Sequence, residues 1–205
     1  MMISIARTLL AISPLFVGGI LATSNQNLLQ TCGVFAEIGS GFNTATSFTL
    51  TAFDPSELDP TTGGTDLVIA ALANPGNPVL FAPPAGSSGT VFNLTDGTIF
   101  VIDHEADISF TAALLTNGSD VSFTPTSGAP LNFPQWCAVA DTDPEQGTPF
   151  PTLALNGTTG DFALCESTVA TGTQIVVFRP AGGNSEYDAS TCASVNIRLT
   201  GPAFE

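Results

Sequence analysis

The chain has 205 residues with no lysine, three arginines and 18 carboxylates, for a formal net charge of −15 at pH 7. Such a surface repels nucleic acid and anionic lipid, whose binding needs clustered Lys or Arg, so neither is expected as a partner. Hydrophobic residues make up 43% and charged ones only 10%, the balance of a packed domain and not of an acidic disordered tail.

Residues 1–24 hold Arg7, an apolar stretch from Leu9 to Ala22, and small or polar residues at the exit. That order predicts a secretory signal peptide, with Ala22 and Ser24 as the −3/−1 pair and Asn25 as the mature N-terminus. Residues 25–205 then carry two arginines against all 18 carboxylates, a net charge near −16. They are expected to fold as one secreted domain, extracellular or wall-associated, with no membrane attachment after cleavage. The acidity also predicts tolerance of mildly acidic surroundings, where partial protonation relaxes self-repulsion.

Downstream, the periodicity is that of β-structure. Residues 46–53 alternate small polar with apolar side chains, as do residues 91–94 and 108–111, one residue facing a core and the next facing water. The fully apolar runs at 67–72, 99–102 and 175–178 are short enough for strands buried on both faces. Turn signals separate them: Asp54-Pro55, residues 74–78, residues 83–86, Asp96-Gly97, Asn117-Gly118 and residues 181–184. Asp96-Gly97 between two apolar strands is the strongest hairpin signal. Residues 92–101 and 153–164 share an apolar–x–apolar strand, a glycine turn and a second apolar strand, two matches being too few to establish a repeat. The proline-punctuated stretch 127–136 is too short and apolar to divide domains. The expectation is an all-β, antiparallel sandwich or barrel, trefoil-like at the limit, of about 10 to 12 strands.

Four cysteines, Cys32, Cys137, Cys165 and Cys192, form an even set suited to an oxidising compartment, so two disulfides are expected. Three pairings are possible; the favoured one joins Cys137 to Cys165 and Cys32 to Cys192, stapling the first strand to the last. Three sequons, at Asn93, Asn117 and Asn156, lie in or beside turn-like patches and are expected to carry N-linked glycans in a eukaryotic secretory pathway.

Catalytic and metal constellations are weak. His104 is the only histidine and stands between Asp103 and Glu105; a copper brace or a metal cupin needs at least two, and no G-x-S-x-G elbow accompanies it for a triad. It is read as a solvated turn residue. Asp141, Asp143 and Glu145 are the densest oxygen cluster and the nearest approach to a calcium loop, but Gly147 is the seventh residue where an EF-hand needs glycine sixth and glutamate twelfth. No metal or cofactor is therefore expected. A carboxylate pair for glycoside hydrolysis is available among the 18 but nothing singles one out. Aromatic content is core-type, with 15 phenylalanines against one Trp and one Tyr; Trp136 and Tyr187 are the two side chains able to serve as amphipathic ligand contacts.

Together the export signal, the strand at Ser47-Phe48-Thr49-Leu50, the apolar strand at Leu67-Val68-Ile69-Ala70 and the late cysteine pair resemble small secreted fungal cell-wall proteins of the phialide wall-protein type. The resemblance implies a wall or surface component without a defined catalytic site, with wall polysaccharide or a surface protein as partner, and it transfers no functional residue. The expected function is thus that of a secreted, glycosylated, disulfide-stabilised structural or interaction protein. A lectin-like carbohydrate-binding module is the alternative, followed by a carboxylate-dependent glycoside hydrolase.

Overall fold

The computed structural model describes residues 32–56, 63–72, 77–84, 89–103, 107–141 and 150–201. The signal segment, His104, Asp143 and Glu145 lie outside the described residues. After a single helical turn, α1 (Val34–Glu37), come β1 (Gly41–Phe42), β2 (Ala45–Phe53), β3 (Thr65–Ala70), β4 (Val79–Ala82), β5 (Phe92–Thr95), β6 (Thr98–Asp103) and β7 (Ile108–Ala112). The second half adds β8 (Phe123–Ser127), β9 (Trp136–Val139), β10 (Thr152–Leu155), β11 (Phe162–Glu166), β12 (Gln174–Phe178) and β13 (Ala193–Thr200). Every paired strand runs antiparallel to its neighbour, and the all-β expectation holds, with 13 strands among the described residues. The two residues of β1 are too few to leave a periodic signal.

Six strands close on themselves in the order β13–β11–β12–β4–β3–β2, and β2 returns to β13. Closure rests on five register positions, from Asn196↔Phe53 to Thr200↔Thr49. The architecture is therefore a closed antiparallel barrel with outer strands, and closure removes the exposed strand edges that an open sheet would leave on these six. From β2 departs the meander β5–β6–β7–β8, and from β13 depart β10, β9 and β1.

Alternation along the strands fills the interior. Phe48, Leu50 and Ala52 of β2 and Val195, Ile197 and Leu199 of β13 point into one core. Two aromatic files cross it: Phe48, Phe92 and Phe123, each 6.2 Å from the next, and Trp136, Phe162 and Phe178, at 6.0 and 5.6 Å. Contacts of this kind add about 0.5–1.5 kcal/mol per pair beyond the area they bury, which is where many of the phenylalanines are used.

Turn chemistry fixes the hairpins. Asp96 (φ 49°) and Gly97 (φ 79°) form the two-residue loop between Thr95 and its partner Thr98, the left-handed pair that matches strand twist. Asn156 (φ 49°) and Gly157 (φ 79°) repeat this turn between Leu155 and Thr158. The likeness ends there: β5 continues into its hairpin partner β6, whereas β11 pairs with β12 and β13 and not with β10.

The disulfides are Cys32–Cys137 and Cys165–Cys192, which corrects the favoured pairing of Cys137 with Cys165 and Cys32 with Cys192. Register supplies the reason. Leu164 of β11 lies opposite Ala193 of β13, so the adjoining Cys165 and Cys192 come to 4.1 Å between Cα atoms. First and last long strands, β2 and β13, are joined by ladder hydrogen bonds and need no covalent staple. Cys32 instead ties α1 to β9. Gly41 of β1 lets it sit there, because a Cβ at that position would lie 2.8 Å from the Cys32 Cβ.

Candidate functional site

The outer face of the meander carries two concavities. After β8 the chain crosses back over this face as a strap, residues 130–135, held by side chains that alternation directs outward from β6 and β7. Thr98 Oγ1 donates to Asn132 Oδ1 (3.1 Å) and accepts the Phe133 N–H (3.0 Å), while Thr111 Oγ1 accepts the Leu131 N–H (3.0 Å). Gln135 completes the anchorage: its Nε2 donates to the Ala113 carbonyl (2.6 Å) and its Oε1 accepts from Leu115 N–H (3.1 Å). Thr98, Thr111 and Gln135 are all buried, and each side-chain oxygen is matched, as burial demands.

Two grooves flank Phe100. One of about 220 Å³ lies between the strap and the hairpin, lined by Thr95, Asp96, Thr98, Phe100, Pro130, Leu131 and Asn132. The other, about 430 Å³, is lined by Thr46, Ser47, Val91, Asn93, Thr95, Phe100 and Ile102. Phe100 and Thr95 are common to both. The lining mixes hydroxyls, amides and apolar groups with one carboxylate, Asp96, and contains no cation. The smaller groove is below the ~300 Å³ of a drug-sized pocket and suits a surface subsite for one ring of a larger ligand.

A different chemistry occupies the outer face of the barrel at β13. Arg198 is 7% exposed, opposite Thr51 of β2 on one side and Thr152 of β10 on the other. Its guanidinium carbon stands 4.5 Å from the centroid of the Phe53 ring, and its Nε and Nη1 are buried without a hydrogen-bond partner. Burial holds its pKa below the ordinary arginine value, against the pull of Asp141. The neighbouring polar groups satisfy one another: Thr51 Oγ1 meets Asp66 Oδ1 at 3.2 Å and Thr200 Oγ1 at 3.1 Å, and Thr200 Oγ1 lies 2.7 Å from Thr49 Oγ1.

The residues singled out by sequence are dispersed. Trp136 is 1% exposed and stacked on Phe162, its Nε1–H buried without a partner. Tyr187 is 2% exposed; its hydroxyl accepts the Ala181 N–H (2.9 Å) and faces the carbonyls of Gly118 and Ala181 at 3.1 Å each. Neither ring presents a face to solvent. Asp141 is exposed at the end of β9. Among the described residues no group of three His, Cys, Asp or Glu side chains is placed to hold a metal ion. Asn93 lies partly buried on β5, whereas Asn117 and Asn156 are exposed on turns. Sequence reading missed Phe100, Gln135 and Arg198. The signal for Arg198 was present: one cation in an alternating strand, at a position facing away from Ile197 and Leu199.

The fold and its surface define a disulfide-stapled, all-β barrel with a grooved face whose lining carries one carboxylate, Asp96, and no cation. Comparison with protein-family models, with characterised proteins and with solved structures found no match to any of them.

Proposed function

We propose that this is a secreted wall or surface protein that engages a neutral, hydroxyl-rich polymer through the groove beneath the strap. The observation that carries the reading is the lining of that groove. Phe100 and an apolar wall (Pro130, Leu131) stand beside the hydrogen-bonding groups of Thr95, Asn132 and the Asp96 carboxylate, with no cation. Neutral sugar rings offer apolar C–H faces and hydroxyl rims, which this combination complements, while the net negative charge of the chain turns away polyanions. Two disulfides are consistent with an extracellular setting. Rigid strand positions, and a strap held by buried threonines, keep the groove preformed.

The test is sedimentation of the purified protein with insoluble chitin, β-glucan and wall fragments, beside the variant Leu131→Arg, whose longer side chain fills the groove. Saturable depletion on one polymer, weakened about tenfold or more in the variant, is the expected result, tenfold being 1.4 kcal/mol. No depletion of the native protein on any polymer refutes direct polymer binding. Depletion unchanged in Leu131→Arg moves the contact away from this groove.

A further inference from the structure

The larger groove contains a sequon, and its local geometry gives that sequon a use that the other two lack. We propose that Asn93 carries an N-linked glycan whose first sugar lies in this groove against Phe100, covering the apolar side chains of Val91 and Ile102. The proposal rests on the reading of the chain as secreted and adds to it a modification site with a structural role.

The geometry begins with a bulge in β2. Ala45 pairs with Leu94 and Phe48 with Phe92, so β2 advances three residues while β5 advances two. The extra residue places Ser47 in the left-handed region at φ 55°, which frees its N–H from the ladder. Asn93 Oδ1 accepts that N–H at 3.2 Å. A backbone N–H can only donate, so the amide oxygen must face Ser47, and Nδ2 is turned away from it. Directly across the β5–β6 ladder from Asn93 stands Phe100. Opposed residues of an antiparallel pair hold their Cβ atoms about 4.5–5.5 Å apart, within the reach of one sugar attached to Asn93.

Modification leaves this arrangement intact. In the transfer, Nδ2 forms a bond to C1 of a sugar on a lipid-linked diphosphate donor. The C1–O bond to the diphosphate breaks, Nδ2 gives up one proton, and the lipid diphosphate leaves. Oδ1 keeps its lone pairs and its bond to Ser47, so the same hydrogen bond that orients the free amide orients the glycosidic bond. Val91 and Ile102 are 53% and 40% exposed, large apolar side chains on a face that the strap does not reach. A glycan laid over Phe100 shields them with its own apolar C–H face. Asn117 and Asn156 are both exposed on turn tips, outside both grooves, and serve as controls within one molecule.

The experiment expresses the full chain in a eukaryotic secretory host and follows release of each glycan by a peptide N-glycosidase, read by glycopeptide mass spectrometry on native and denatured protein. The expected result is that Asn93 is modified and that its glycan leaves the native protein about tenfold more slowly than those at Asn117 and Asn156, a protection of about 1.4 kcal/mol. The difference should vanish on denaturation and shrink in Phe100→Ser. Ile102→Ser, at a more exposed position, gives a second reading should Phe100→Ser fail to fold. Equal release at all three sites, or an unmodified Asn93 beside modified Asn117 and Asn156, overturns the proposal and leaves the secretory reading standing. A secreted chain with no glycan at any of the three sites also overturns it, and a chain that is not secreted overturns both.

Discussion

The two arginines that follow residue 25 are placed in opposite ways. Arg179 is exposed on the turn after β12, and two of its nitrogens, Nε and Nη2, meet Asp161 Oδ2 at 3.0 and 2.7 Å. Its own backbone N–H donates to the Asp161 carbonyl (2.7 Å), and its guanidinium stands 5.0 Å from the Phe178 ring centroid. Arg198 is buried, stacked on Phe53, with Nε and Nη1 unmatched. A charge costs little to hold in water and several kcal/mol to bury, yet this chain gives the ion pair to the exposed arginine. The difference teaches that Arg198 is retained in spite of its charge. What the site uses is a long, flat side chain that covers Phe53 across the β2–β13 seam where the barrel closes.

The largest break in this comparison comes from reversing the buried charge. Arg198→Glu would put a carboxylate near Asp141 and Asp66 and remove the stacking on Phe53. We expect a loss of about 4 kcal/mol in urea unfolding, the scale of an uncompensated buried charge. Next comes the bridge on the other arginine's side of the barrel. Cys165 and Cys192 close a loop with a sequence separation of 27 that contains Arg179 and the Tyr187 lock. The alanine pair should cost about 3.5 kcal/mol on the chain-entropy account, with Cys32–Cys137 intact by mass spectrometry. Smaller, and of opposite sign, is Arg198→Met, which keeps length and removes charge. It should leave stability unchanged or raise it by about 1 kcal/mol. If Arg198→Met is as damaging as Arg198→Glu, the guanidinium has a partner that offsets its burial and the contrast drawn here collapses.

How much of this was legible depends on the distance over which each feature is decided. The Asp96-Gly97 hairpin could be read because two adjacent residues with positive φ settle it locally. The alternating strands at 46–53 and 108–111 were likewise visible, since one face meets a core whatever its partner. Disulfide pairing was not, because it depends on the register of β11 against β13 and on where α1 docks, neither of which is encoded near the cysteines. Trp136 and Tyr187 were read as ligand contacts from residue type alone. Their burial follows from strand order, which sets Trp136 against Phe162, and from a hydroxyl satisfied by Gly118, 69 residues away. Phe100 looked like one more core phenylalanine in an apolar run. Only the strap returning over the meander shows that its face is an outer one.

The smallest effect tests the exposed arginine. Hydrogen bonds from Thr158 and from Arg179, together with the arginine's charge, hold the Asp161 carboxyl below its ordinary value. A depressed acid contributes stability that is fully present above the unfolded carboxyl pKa, near 3.9, and is lost as pH falls through its folded value. Because the pair is solvent-exposed, its coupling in a double-mutant cycle of Arg179→Gln and Asp161→Asn should be only about 0.2–1 kcal/mol at pH 7, and should fade only once pH falls below the ordinary carboxylate range and the Asp161 carboxyl protonates. Asp120 moves the other way: burial raises its carboxyl above the ordinary range, so its ionisation weakens the fold as pH rises past 3.9. Asp120→Asn should therefore raise the melting temperature at pH 7 and not at pH 3. A cycle at Arg179 as strong as the Arg198→Glu loss would mean that the exposed pair, and not the buried stack, carries the electrostatic stability of the barrel.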